Sequence, residues 1–394
     1  MSQAFVTKEE QIQFRCDSQQ NMPGTVIYKT TKTGATQQWS QEIGDGGRYR
    51  TISGQVGGKL ITSDWTQCEA TNVGRANERN LAEQAIFEVN ANYKKKLEKD
   101  YHFTVDTIDE GSHIIEAMLA HEYGKSLDRK NPPVLSKCYS QPKLDGMRCL
   151  INKDGMWTRN GKAIVSCPHI FRALKYQFEL FPDMIFDGEL YNHDFKANFN
   201  EIMSIFKQLK PTEEDLAKAA KFGQYHVYDI ASSGAIFSTR TEQLKNIVKS
   251  IDSDYIQYVR TDKIRDNFHL DSLYFDTYLE QGYEGQMIRE DKVYEGKRTW
   301  SLLKRKEFFD GEYELVDLEP GVGNWAGKAK RAILKTKDAR LFGAGITGTM
   351  EFCEEVLKNK VKYIGKKTNV NYTNLTPDGI PRFGRVKELD RMDV

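Results

Sequence analysis

Six short stretches hold the side chains of this sequence that could do chemistry. Gln141-Pro-Lys-Leu-Asp-Gly-Met-Arg148 reads Lys-x-Asp-Gly-x-Arg, with Lys143 at its head. Thr158-Arg-Asn-Gly-Lys162, Phe186-Asp-Gly-Glu-Leu190 and Tyr225-His-Val-Tyr-Asp-Ile230 follow, then Glu284-Gly-Gln-Met-Ile-Arg289 and Trp300-Ser-Leu-Leu-Lys-Arg-Lys306. Each also has a plain structural explanation. Asp145-Gly146 suits a tight hairpin turn, as do Arg159-Asn-Gly161 and Asp187-Gly188. Tyr228 could be a core tyrosine, and Glu189, Glu284, Lys304 and Lys306 could be solvated surface charges. A lysine amine can be a nucleophile once it has lost its proton. Two lysines at i and i+2 of a strand share one face, as a phosphate clamp requires.

Stepping outward, these stretches need strands and turns to hold them. Lys137–Ser140 and Cys149–Ile151 read as strands on either side of a turn near Lys143. The block from about 137 to 310 alternates strands (184–190, 225–230, 286–289) with helices (169–178, 213–222, 240–249). Residues 1–75 read as β-rich, with strands near 25–30, 48–53 and 59–65. A helix follows from Glu78, N-capped by Asn77, with an apolar stripe Ala82, Ile86, Val89, Tyr93 and Leu97. From Gly311 onward, short strands at 313–318, 332–336 and 348–352 suggest a small β-barrel.

Together, the six stretches resemble the covalent nucleotidyltransferases, and most closely the ATP-dependent DNA ligases in their short phage- and virus-like form. The resemblance covers about 118–310, and more weakly the C-terminal residues. It implies an α+β chain: a two-lobed nucleotidyltransferase domain (106–310), then an OB-fold (311–394). Residues 1–105 form a smaller β-sheet-plus-helix piece that resembles WGR-type nucleic-acid-binding modules, without an intact Trp-Gly-Arg. Lys143 then becomes the residue that attacks the α-phosphate of ATP, giving an AMP–lysine and later an AMP–DNA intermediate. Free lysine titrates at about 10.4, so nearby cations are needed to favour the neutral amine. The resemblance offers Arg148, Lys304, Lys306 and Mg²⁺, which would also stabilise the charged transition state. Glu189 and Glu284 match carboxylates facing nucleotide and metal, Glu189 holding the ribose and Glu284 helping to place Mg²⁺. Tyr228 matches the ring that stacks on adenine, Gln141, Pro142 and Leu144 line the base and lysine site, and Arg159 contacts phosphate or the nick. Met118-Leu-Ala120 resembles the segment just before the nucleotide site.

The last family motif finds a partial match in Pro381-Arg-Phe-Gly-Arg-Val-Lys387, making Arg382, Arg385 and Lys387 candidates for pyrophosphate. Lys328, Lys330 and Arg331 are candidates for duplex contact. Residues 311–394 hold 15 Lys+Arg against 12 Asp+Glu, a local +3 beside a whole-chain +1. The expected partner is nicked double-stranded DNA, and the expected state a monomer in a bacterial or phage-infected cytoplasm. Six scattered cysteines, from Cys16 to Cys353, without a Cys-x-x-Cys pair suit a reducing compartment and argue against a zinc ribbon. No apolar run approaches the ~18 residues of a membrane span, and no secretion signal is read at the start. The rival enzymes weigh less. NAD-dependent ligases would add a four-cysteine zinc site, and RNA ligases usually lack the arginine at Arg148. Capping guanylyltransferases share the lysine motif and an OB-fold. A non-catalytic nucleic-acid binder is the alternative from another class.

Overall fold

The computed structural model describes residues 24–31, 33–106, 108, 115–376 and 378–389. The readings of the first residues, including Cys16, lie outside these. The chain divides into two compact units. One joins Met1–Ser112 with Phe309–Asn374 and Ile380–Val394, and the other is His113–Phe308 with Leu375–Gly379.

In the first unit, β1 (Ile27–Thr30), β2 (Thr36–Gly44), β3 (Arg48–Gln55), β4 (Ile61–Thr62) and β5 (Thr66–Gln67) make one antiparallel sheet. The longest of these, β2, was missed in the sequence. Its polar Thr-Gln-Gln-Trp-Ser-Gln-Glu carries no apolar alternation to mark it, and it is held as a strand by hydrogen-bonded neighbours on both sides. The helix Leu81–Leu97 packs on this sheet through Ala85, Val89, Tyr93 and Leu97. Asn80, not Asn77, caps it: its side chain accepts from Glu83 N–H, and the Glu83 carboxylate accepts from Asn80 N–H. With the start moved three residues on, Ala82 faces solvent and Ala85 takes the buried place. Tyr93 ties helix to sheet, its hydroxyl accepting from Gln41 N–H (2.9 Å) and donating to the Thr25 carbonyl (2.6 Å).

The barrel of the same unit closes in the order β16 (Phe309–Pro320), β17 (Ala329–Lys335), β18 (Leu341–Ile346), the Arg385–Glu388 strand and β19 (Lys367–Tyr372). Leu315, Leu318, Leu334, Phe342, Val370 and Val386 fill it. This is the expected OB-type barrel, with one correction. Residues 348–352 are not a strand but lead into the helix Met350–Lys358, capped by Thr349 on Phe352 N–H (3.2 Å). Cys353 and Val356 are buried at helical spacing, a period that a five-residue window is too short to reveal.

The second unit holds two five-stranded sheets. The first runs β13 (Asp262–Lys263), β7 (Cys138–Lys143), β14 (Gly285–Glu290), β15 (Arg298–Lys306) and β6 (Leu119–Glu122). The second runs β12 (Ile256–Tyr258), β11 (Gln224–Ile230), β10 (Phe186–Tyr191), β8 (Met147–Asn152) and β9 (Gly155–Thr158). Helices Pro168–Leu180, Phe199–Phe206, Glu213–Phe222 and Phe237–Ile251 cover the second sheet, burying Ile170, Leu174, Phe206 and Leu244 against it. The first sheet carries a smaller core of Cys138, Ile264, Leu270, Ile288 and Leu303. No helix among the described residues is long and apolar enough to cross a membrane.

Candidate active site

Lys143 ends β7, and the chain crosses from one sheet to the other within the next three residues. β7 and β8 do not pair with each other, so the Asp145-Gly146 stretch is a crossover and not a hairpin turn. Leu144 anchors the crossing in the core. Gly146 passes so close to β10 that a Cβ there would meet the Leu190 carbonyl at 2.3 Å. The Lys-x-Asp-Gly spacing is thus fixed by a backbone contact only glycine tolerates.

Three adjacent strands then bring the cations together. Gly285 lies opposite Lys143 on one side and Lys306 on the other, while Met287 lies between Gln141 and Lys304. Glu284, just before β14, accepts hydrogen bonds from the amines of both Lys143 and Lys306, the latter at 3.1 Å. The Glu284 backbone N–H also donates to the Lys143 carbonyl at 3.0 Å. The two lysines hold the Glu284 carboxylate below its ordinary range against the opposing cost of burial. Burial pulls Lys304 downward, and the positive Lys306 and Lys143 add to this. The Lys143 amine is therefore a donor to a carboxylate here.

The second sheet supplies the opposite wall. Glu189 on β10 pairs in register with Arg148 on β8 and His226 on β11. Burial pushes the half-buried Glu189 carboxyl up to about 8; Asp187 and Glu284 add to this, against Lys143 and Arg148. Arg148 does not reach freely into the site. It forks onto Asp187 (Nε 2.9 Å, Nη2 2.5 Å) and donates to the Met118 carbonyl (2.7 Å). Tyr294 also donates to Asp187 at 2.8 Å, so Arg148 acts as a brace between β8, β10 and the segment before β6. Tyr228 sits at a β-bulge: β11 pairs with β10 through Asp229 and then Val227, leaving Tyr228 unpaired and re-aimed. Two guanidiniums flank its ring, Arg289 at 5.3 Å and Arg148 at 5.8 Å.

Beneath that ring runs a buried network. Asp229 takes a bidentate fork from Arg240 (2.7 and 3.1 Å) and a bond from Arg289 (2.6 Å). Arg289 donates through Nε to the Gln141 side chain at 2.7 Å. The Gln141 amide in turn donates to the Tyr228 carbonyl (3.2 Å) and Thr261 Oγ1 (2.9 Å). Gln141, Asp229, Arg240 and Arg289 are all nearly inaccessible to solvent. This network ties the two sheets together.

The structure thus gathers Lys143, Glu284, Lys304, Lys306 and Glu189 around one point, with Arg148, Gln141 and Tyr228 adjoining. Pro142 is buried beside Gln141. Arg159 is exposed on the turn between Thr158 and Lys162, closed by Gly161 N–H to the Thr158 carbonyl (2.9 Å). Lys328 pairs with Asp64 (3.6 Å), Lys330 lies over Trp325 (3.6 Å) and Arg331 meets Glu319 (3.4 Å). Lys387 pairs with Asp310 (3.1 Å), Arg382 lies over Phe383 (5.2 Å), and Arg385 is exposed on its strand. Among the described residues no group of three or more His, Cys, Asp or Glu could hold a metal alone. Glu189 and Glu284 offer two carboxylates, which suits an ion whose other ligands are phosphate and water. Sequence reasoning missed Asp187, Tyr294, Asp229 and Arg240 as bracing residues. Asp187 and Asp229 stand inside two of the six stretches, but their partners lie 11 to 107 residues away in other elements.

Residues 117–306 match the family model described as the ATP dependent DNA ligase domain. Among solved structures, one from a structure–function analysis of Lig E DNA ligases is 23% identical with a TM-score of 0.58. The match covers 69% of this chain and 98% of that one. A second, named Pmar-Lig_Pre, is 22% identical with a TM-score of 0.57, covering 78% of this chain and 72% of that one. Likenesses at this identity establish the fold. No curated protein matches the sequence.

Proposed function

We propose that this chain, which carries an ATP-dependent DNA ligase domain over residues 117–306, seals nicks in duplex DNA through Lys143. The amine nitrogen attacks the α-phosphorus of ATP. An N–P bond forms, the bond to the bridging oxygen breaks, and pyrophosphate leaves. The adenylate then passes to a 5′-phosphate at the nick, restoring the amine. A neighbouring 3′-hydroxyl displaces AMP and closes the strand. The reading is supported above all by one observation: Glu284 spans Lys143 and Lys306 across three neighbouring strands, with Lys304 beside them.

In this reading the resident side chains do separable jobs. Lys304 and Lys306 draw the phosphates and neutralise charge building on them. Tyr228 offers its ring to adenine, and Gln141 and Pro142 border the base. Glu189 accepts a ribose hydroxyl, and Arg148 keeps β8 and β10 in register through Asp187. Glu189 and Glu284 would hold Mg²⁺, which supplies charge neutralisation at the phosphates. Arg159 and the barrel cations Lys328, Lys330, Arg331, Arg382, Arg385 and Lys387 would face phosphates of DNA or pyrophosphate. The division into 1–105, 106–310 and 311–394 belongs to the same proposal, as does nucleic-acid binding by the first piece. Separate cores for sheet, nucleotidyltransferase fold and barrel support it. The capping and RNA-ligase alternatives belong to the same superfamily but are not favoured by the family match.

The test is α-labelled ATP with Mg²⁺, followed by a labelled nicked duplex. Wild-type protein takes up AMP and seals the nick, and Lys143→Ala does neither. Labelling by GTP instead would point to a capping enzyme, and no label at all to a binding protein. Removal of residues 1–105 should leave adenylation intact while weakening nick binding.

A further inference from the structure

Beyond β10, the chain reaches across to the turn that precedes β14. His193 comes four residues after Glu189, and Gln281 three before Glu284. His193 Nε2 lies 3.0 Å from the Gln281 carbonyl, and Nδ1 lies 2.9 Å from the Tyr191 hydroxyl. A carbonyl can only accept, so Nε2 carries the proton. In the neutral ring Nδ1 then accepts from Tyr191. Burial holds this imidazole below its ordinary range, with the positive Lys196 adding to the effect, which favours that neutral tautomer. Lys196 Nζ donates to the same Gln281 carbonyl at 2.9 Å. The His193 ring also rests 4.5 Å from Tyr283. Gly282 turns at φ +84°, and a Cβ there would come within 2.9 Å of the Lys196 side chain.

We infer that His193 and Lys196 are positioning residues that latch the Gln281–Gly282 turn and so fix Glu284 against Lys143 and Lys306. The inference rests on the reading of Glu284 proposed above. The turn's own N–H groups are tied inward, Gly282 to Leu279 (2.9 Å), Tyr283 to Tyr278 (2.9 Å) and Glu284 to Lys143 (3.0 Å). These bonds shape the turn but tie it to the second sheet nowhere. The latch does that through an acceptor left over at Gln281. It joins the strand bearing one site carboxylate to the turn bearing the other. A carboxylate set loose by about 1 Å loses much of its effect on a reacting centre.

Two readouts test the latch on the full chain. The first needs no nucleotide or metal: trace acetylation of the protein, with Lys143 labelling followed by mass spectrometry. The second is the Mg²⁺ midpoint of AMP uptake at saturating ATP. In His193→Ala the freed Lys143 should label about 3- to 10-fold faster, and the Mg²⁺ midpoint should rise about 10-fold. ATP half-saturation at saturating Mg²⁺ should move less than about 2-fold. His193→Gln, which keeps one donor and one acceptor, should restore both readouts. Should His193→Ala not fold, Lys196→Met carries the test, with about 3-fold changes in the same directions. Wild-type behaviour in the folded variant on both readouts overturns the latch, as does a His193→Gln no better than alanine. If wild-type protein takes up no AMP, the functional reading falls, while the acetylation arm still decides the latch.

Discussion

Glu284 bridges Lys143 and Lys306, so this one carboxylate accepts from two of the three lysines gathered there and offsets one of their charges. Under the proposed reaction, incoming phosphates would compete with Glu284 for the same amines.

Removing that carboxylate separates its two effects. Glu284→Gln should speed acetylation of Lys143 in the free protein, since the amine loses its anionic partner. The same change should slow AMP uptake by at least ~100-fold, the size typical of one lost electrostatic group. Lys304→Ala should slow uptake by a similar factor without changing Lys143 acetylation more than about 3-fold. Rapid-quench measurement of the protein–AMP adduct decides both, and near-normal uptake in either variant would mean the pocket lies elsewhere.

Glu189 makes the stability of the free protein depend on pH. Its folded value is raised to about 8 from an ordinary 4.5, so the folded state binds the extra proton between those limits. Unfolding free energy from this group is then highest below pH 4.5 and is lost as pH rises through 8, by at most about 1.4 kcal/mol per unit. Glu189→Gln should flatten that slope. Urea titrations from pH 5 to 8.5 would show it, and equal slopes in both proteins would contradict the burial argument.

Asp229 offers a test of the buried network. It is the carboxylate shared by Arg240 and Arg289, all three sealed from solvent. Asp229→Ala would leave two guanidiniums unpaired and should cost about 3–5 kcal/mol. A loss under about 1 kcal/mol would show that water or rearrangement satisfies them.

Gly285 separates Lys143 from Lys306, and a Cβ there would meet the Arg305 carbonyl at 2.2 Å. Gly285→Ala should destabilise by about 1–3 kcal/mol and lower the rate of AMP uptake, because the lysine strands must move apart. Unfolding and labelling assays on the same preparation would reveal a variant that changes neither.

Much of this was legible along the chain. Residue types, order and spacing in the six stretches singled out Lys143, Glu189, Glu284, Lys304 and Lys306. Helical period located Glu213–Phe222 to the residue and Leu81–Leu97, Pro168–Leu180 and Phe237–Ile251 to within a few residues, but not the shorter Phe199–Phe206. The Met350–Lys358 helix was misread because its buried pair, Cys353 and Val356, spans too few residues to set a period. The helix start at Asn80 was misread because two asparagines lie three residues apart, and only the reciprocal bond with Glu83 selects one of them.

The sequence by itself determined which atoms are available: one amine, two carboxylates and two further lysines, at positions where glycines let backbones touch. It could not determine who holds whom at rest. That Glu284 engages Lys143, that Arg148 serves Asp187, and that Asp229 balances two arginines depend on pairs 11 to 141 residues apart. Local preferences act over a few residues, whereas these bonds exist only once two sheets face each other and exclude water, so their partners are chosen by packing.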